Sequence, residues 1–97
     1  MDKEMTDAVE AHVIVSGRVQ GVSFRAYTAE TAVKAKARGW VRNLPQRQVE
    51  AVLQGERASV EKVIDFMRTG PPMAHVVDIA VSWRTPVETF NGFDIRY

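Results

Sequence analysis

The sequence predicts an α+β domain, a split βαβ sandwich whose antiparallel-dominated sheet carries two helices on one face. Three observations predict it. Several short runs alternate apolar with polar residues, two stretches repeat apolar residues at helical spacing, and together they read β-α-β-β-α-β with a short fifth strand to close. With 97 residues the chain builds one core and not two. Residues 11–97 therefore read as a single domain, and residues 1–10, polar and without apolar periodicity, as a disordered tail.

The first strand runs from about Ala11 to Val19 around the β-type run Val13-Ile14-Val15. Ala29, Ala32, Val33 and Ala37 then recur at helical spacing with Lys34, Lys36 and Arg38 between them, which predicts a helix from Ser23 or Phe24 to Arg38 stopped by Gly39. Trp40–Leu44 reads as the second strand and Val49–Gln54 as the third, joined by Pro45-Gln46-Arg47-Gln48 as a loose four-residue connection without the glycine or asparagine of a primed turn. Val60, Val63, Ile64 and Met67 follow the i, i+3, i+4, i+7 template of a second helix, which Gly70-Pro71-Pro72 ends. Val77, Ile79, Val81 and Trp83 alternate with polar or small residues as a fourth strand broken before Pro86, and Phe93, Ile95 and Tyr97 as a short fifth. Phe24, Trp40 and Trp83 are expected in the core.

Composition narrows the chemistry. The chain has no cysteine, so disulfides, thiolate metal sites and a cysteine nucleophile are excluded. No apolar run approaches the roughly 18 residues of a membrane span, and the acidic N-terminus is unlike a signal peptide, so a cytoplasmic monomer without membrane contact is the expectation. Residues 1–10 hold four acids against one lysine, which leaves residues 11–97 at +4 although the whole chain is +1. A mildly basic body favours a small anion and falls well short of a nucleic-acid surface. His12 and His75 lie far apart with no ligand spacing between them, so no metal is expected.

One segment carries the candidate chemistry. Ser16-Gly17-Arg18-Val19-Gln20-Gly21-Val22-Ser23-Phe24-Arg25 leads from a strand through two glycines into a helix, and that order places unpaired amides and the positive end of a helix dipole around one hollow. Gln20, Gly21, Val22, Ser23, Phe24 and Arg25 are the candidate phosphate-binding residues, with Arg25 able to grip a phosphate bidentately. A right-handed crossover sets the first two strands parallel, so Asn43 near the end of the second comes to the same rim. The Lys-Ser/Thr ending of a Walker loop, the three spaced glycines of a dinucleotide loop and a cysteine at position 19 are all absent. What remains stabilises phosphoryl charge and orients a water without a strong base. Such a site suits a leaving group that needs no proton, and the carboxylate of an acyl phosphate is one.

These residues carry a resemblance. Gly17-Arg18-Val19-Gln20-Gly21-Val22-Ser23-Phe24-Arg25 together with Gly39-Trp40-Val41-Arg42-Asn43 resembles the two signature segments of the acylphosphatase family, and Gly70-Pro71-Pro72, Val76 and Gly92-Phe93-Asp94-Ile95-Arg96 fall at similar places. The likeness spans about residues 11–97. It implies a ferredoxin-like fold with a five-stranded sheet, and hydrolysis of a small acyl phosphate to carboxylate and inorganic phosphate, the latter also an inhibitor. By motif position it implies that Arg25 binds the phosphate and Asn43 holds the attacking water, with no metal or cofactor. Ser23 departs from the family's usual glycine, with a hydroxyl free to cap the first helix, and the hairpin lacks the common Asp-Gly turn. A non-catalytic module that binds an acyl or carbamoyl phosphate for regulation is the alternative. An RNA-reading sheet face is disfavoured because the third strand, Val49–Gln54, has no aromatic residue.

Overall fold

The computed structural model describes residues 8–97, and its elements follow one another as β1 (Ala8–Arg18), α1 (Phe24–Ala35), β2 (Arg38–Leu44), β3 (Gln48–Glu56), α2 (Arg57–Thr69), β4 (His75–Arg84) and β5 (Phe93–Arg96). The five strands form one sheet in the order β4-β1-β3-β2-β5. β3 pairs antiparallel with both β1 and β2, which therefore run the same way, while β5 lies parallel to β2 at an edge. No helix among the described residues is long and apolar enough to cross a membrane.

Alternation decides which face is covered. Ala11, Val13 and Val15 of β1, Val41 of β2, and Val49, Ala51 and Leu53 of β3 are buried in one cluster with Phe24 and Ala32 of α1 and Val60, Val63, Ile64 and Met67 of α2. Both helices thus seat on one face of the sheet. The buried side of α2 is the stripe that its apolar spacing predicts. α1 buries Phe24, Thr28 and Ala32; of the predicted stripe Ala32 and Ala37 are buried, Ala29 is half-buried and Val33 is exposed. Phe24 and Phe66 join the two helices, with ring centroids 6.1 Å apart.

The opposite face is polar and cross-linked. Glu50 on β3 receives His12 Nε2 at 2.6 Å and Arg42 Nε at 2.7 Å from the strands on either side. Burial alone would raise the Glu50 pKa, but the hydrogen bonds and charges of His12 and Arg42 outweigh it and hold the carboxyl below its ordinary range. Farther along, Glu10 pairs with Arg84 and accepts from Gln54 Nε2 at 3.1 Å. The connection between β4 and β5 crosses over this corner: Gln54 Nε2 donates to Glu88 O at 2.6 Å and Phe90 N donates to Gln54 Oε1 at 3.1 Å. Glu10 and Gln54 are buried for that reason.

Several expectations are corrected. β1 begins at Ala8, so Ala8, Val9 and Glu10 belong to the sheet and not to a tail; the rest of the expected tail lies outside the described residues. α1 stops at Ala35 with Lys36 in the left-handed conformation, where its amide bonds back to Val33 O, and Gly39 sits inside β2. At Gly39 φ is 135° and a Cβ would stand 1.8 Å from Val52 O, so the glycine serves close strand approach and not a helix stop. Gln48 already pairs with Leu44, leaving a three-residue connection with Gln46 and Arg47 both at positive φ. A register shift opposite Ser16 and Gly17 skips Val77, which is exposed while Val76 turns inward. Trp83 is exposed with Arg57 over its ring, and Trp40 is half-buried beneath Arg42 and Arg96.

Candidate functional site

Because β1 and β2 run the same way, the loop that leaves β1 and the end of β2 share one rim of the sheet. The loop begins with Val19, buried against the core, and turns at Gly21, where φ is 72°. A Cβ there would meet nothing within 4 Å, so the glycine answers to conformation and not to space. Ser23 follows at φ 63° and ψ 27° as the N-cap of α1. Its side chain makes no capping hydrogen bond, contrary to the expectation, because a left-handed N-cap does not place the hydroxyl as the usual extended one does.

The first intrahelical bond runs from Tyr27 N to Ser23 O at 3.1 Å. No backbone carbonyl among the described residues accepts from the amides of Gly21 to Ala26. A set of free donors at a helix N-terminus results, at the end where the dipole is positive. Phe24, buried as a plug in the core, fixes the helix start beside it.

A cavity of about 400 Å³ opens above these amides. Gln20, Gly21, Ser23, Phe24, Arg25 and Asn43 line it, so all but one of the residues proposed from the sequence come together there. The exception is Val22, whose side chain packs on the core. Arg25 is half-buried; its Nη1 donates to Arg96 O at 3.2 Å, and its guanidinium carbon lies 4.6 Å from the centre of the Tyr97 ring. Asn43 reaches the cavity from the helix-facing side of β2, where it pairs with Val49. Its Oδ1 is buried and accepts no hydrogen bond from the described residues.

Gln20 braces the loop from outside. Its Nε2 donates to Leu44 O at 2.6 Å and to Gln48 O at 2.9 Å, tying the loop to both ends of the β2–β3 connection. Sequence reasoning missed Ile95 and Tyr97 as lining residues. Their alternation marked a strand, but only the parallel pairing of β5 with β2 carries that strand's end to this rim. No Asp, Glu or His among the described residues lines the cavity, and no group of three or more such side chains is placed to hold a metal ion. The arrangement offers backbone amides, one guanidinium and one carboxamide: donors for an anion and an acceptor for a water.

Known proteins resemble the chain closely. A family model described as acylphosphatase matches residues 11–95. An acylphosphatase of Chloroflexus aurantiacus is 52% identical over 89 residues, covering 92% of this chain and 97% of the relative. The solved structure of an acylphosphatase from Coxiella burnetii aligns at a TM-score of 0.91 and 35% identity, over 99% of this chain and 100% of that one. The crystal structure of T. kodakarensis HypF aligns at 0.79 and 29% identity, over 91% of this chain but 12% of that one.

Proposed function

The chain belongs to the acylphosphatase family, a family of hydrolases, and from that premise we propose how its residues split an acyl phosphate. The phosphate sits against the amides that run from Gln20 to Arg25, and the Arg25 guanidinium takes two of its oxygens. The Asn43 carboxamide hydrogen-bonds a water and turns that water's lone pair toward phosphorus, opposite the acyl oxygen. The new bond forms between water oxygen and phosphorus while the bond from phosphorus to the acyl oxygen breaks, its electron pair leaving on the carboxylate. One proton of the water passes to a phosphoryl oxygen, so the step needs no general base, and no Asp, Glu or His among the described residues lines the cavity. Products are the carboxylate and inorganic phosphate, which returns to the same amides as an inhibitor. The reading takes the enzyme as a cytoplasmic monomer acting on small acyl phosphates without metal or cofactor.

One observation carries this reading: Arg25 and Asn43, on different elements, line one hollow with the free amides between them. The test is hydrolysis of benzoyl phosphate without added metal, followed by ultraviolet absorbance. Arg25→Gln and Asn43→Ala should each lower the rate by on the order of a hundredfold, the usual effect of removing one preorganised charge-stabilising group. Near-full activity in both variants would overturn the assignment.

A second reading is kept for one observation. The matched region forms 12% of T. kodakarensis HypF, so a domain of this fold also exists within a much larger chain. Phosphate binding without turnover would favour the non-catalytic module for acyl or carbamoyl phosphate.

A further inference from the structure

Beside the cavity lies a second hollow of about 550 Å³, lined by Gly17, Arg18, Val19, Gln20 and Arg47. Val19 and Gln20 line both, so the two adjoin at these residues. Resting on the acylphosphatase reading of the first cavity, we propose that the second hollow receives the acyl group, and that Arg18 and Arg47 select acyl phosphates whose acyl group carries another anion, such as the monoacyl phosphates of dicarboxylic acids.

The walls of this hollow are held in place. Gly17 N donates to Arg47 O at 3.2 Å, which fastens the β2–β3 connection to the end of β1. Gln20 adds its two bonds to Leu44 O and Gln48 O on either side of the same connection. Arg18 and Arg47 thus stand on two segments that cannot drift apart independently. Arg47 occupies this place at φ 59°, a backbone conformation that glycine adopts far more readily.

The charge around the second hollow is one-sided. Among the described residues Arg42, Arg57, Arg68 and Arg84 each have a carboxylate partner. Arg18 and Arg47 have none, nor do Arg25, Arg38 and Arg96, and no Asp or Glu side chain among the described residues lines either hollow. With Arg25 next door, an incoming ligand meets three guanidinium groups and no opposing charge. The apolar alternative is poorly served, because the one large aliphatic lining residue is Val19, itself 1% exposed. An alkyl chain entering this hollow finds little surface to bury, whereas an anionic group finds two cations without a carboxylate partner.

Both arginines are exposed, so the discrimination is moderate and sensitive to salt. The experiment compares kcat/KM for succinyl phosphate and butyryl phosphate, which have four-carbon acyl groups of matched length, on the purified chain. The expected ratio favours succinyl phosphate by about five- to tenfold at low ionic strength and falls toward one in about 0.5 M salt. Arg18→Gln with Arg47→Gln should bring the ratio to about one, Arg47→Glu should push it lower still, and Arg47→Lys should retain it. A ratio of one in the unaltered protein, or a preference that survives the double substitution, overturns the inference while turnover of both compounds leaves the reaction class intact. Failure to hydrolyse either compound would overturn both together. If the double variant does not fold, the salt dependence of the unaltered protein decides the question alone.

Discussion

Replacing Ser23 by glycine should make the protein more stable. Ser23 holds φ at 63° as the N-cap of α1, and for an L-residue that region costs about 1–2 kcal/mol. Glycine is spared the steric part but gives up roughly 0.5–1 kcal/mol of chain entropy, so the net gain is about 0.5–1 kcal/mol. Nothing offsets it, because the side chain is exposed and makes no capping hydrogen bond. For a domain of this size the gain corresponds to a rise of roughly 2–8 °C in melting temperature. Urea unfolding should give the same result as a higher midpoint with an unchanged m-value. Ser23→Ala is the control: it removes the hydroxyl while keeping the strain, and should stay within about 0.5 kcal/mol of the unaltered protein. If glycine proved neutral and alanine lost about 1 kcal/mol, the hydroxyl would be a working cap and the reasoning would be refuted.

Two further substitutions test the sheet. The carboxyl of Glu50 is held below its ordinary pKa of 4.5, so its contribution is fully present above that pH and is lost as pH falls through the lowered value. Glu50→Gln should therefore cost about 1–2 kcal/mol near neutral pH, with the gap closing in acid; a gap that urea unfolding finds undiminished at about pH 3 would remove Glu50 from this role. Gly39→Ala places a Cβ 1.8 Å from Val52 O at a φ of 135°, and should cost about 3 kcal/mol or more. Unfolding midpoints near those of the unaltered protein would show that β2 and β3 do not approach as described.

The fold was legible where a repeat met a single environment. α2 is covered on one side only, so its apolar spacing and its buried residues coincide. α1 misled because its inward stripe contains Thr28, a polar residue, and because Val33 points to solvent. Its end was misplaced because the left-handed stop fell on Lys36, while the glycine that looked like a stop belongs to a strand crossing. The phase of β4 was read correctly at Ile79 and Val81 and lost at Val77, which a bulge that no residue type announces turns outward.

The candidate site was legible through two glycines, an arginine at a helix start and the parallel course of β1 and β2. Ile95 and Tyr97 could not be read, since their place depends on which neighbour β5 chooses. Nothing in the sequence sets Arg18 and Arg47 apart from the other arginines. Their lack of partners, and the hollow they share, exist only once the chain is folded.

Arg25 and Asn43 depend on strands that do not touch each other, since β3 lies between β1 and β2. Turnover can return during refolding only after this middle strand has captured both neighbours, one contact local through the short connection and the other spanning much of the sequence. With the roles proposed for Arg25 and Asn43, recovery of catalysis after dilution from denaturant reports the pairing of β1 with β3, and it should lag the return of helical circular dichroism.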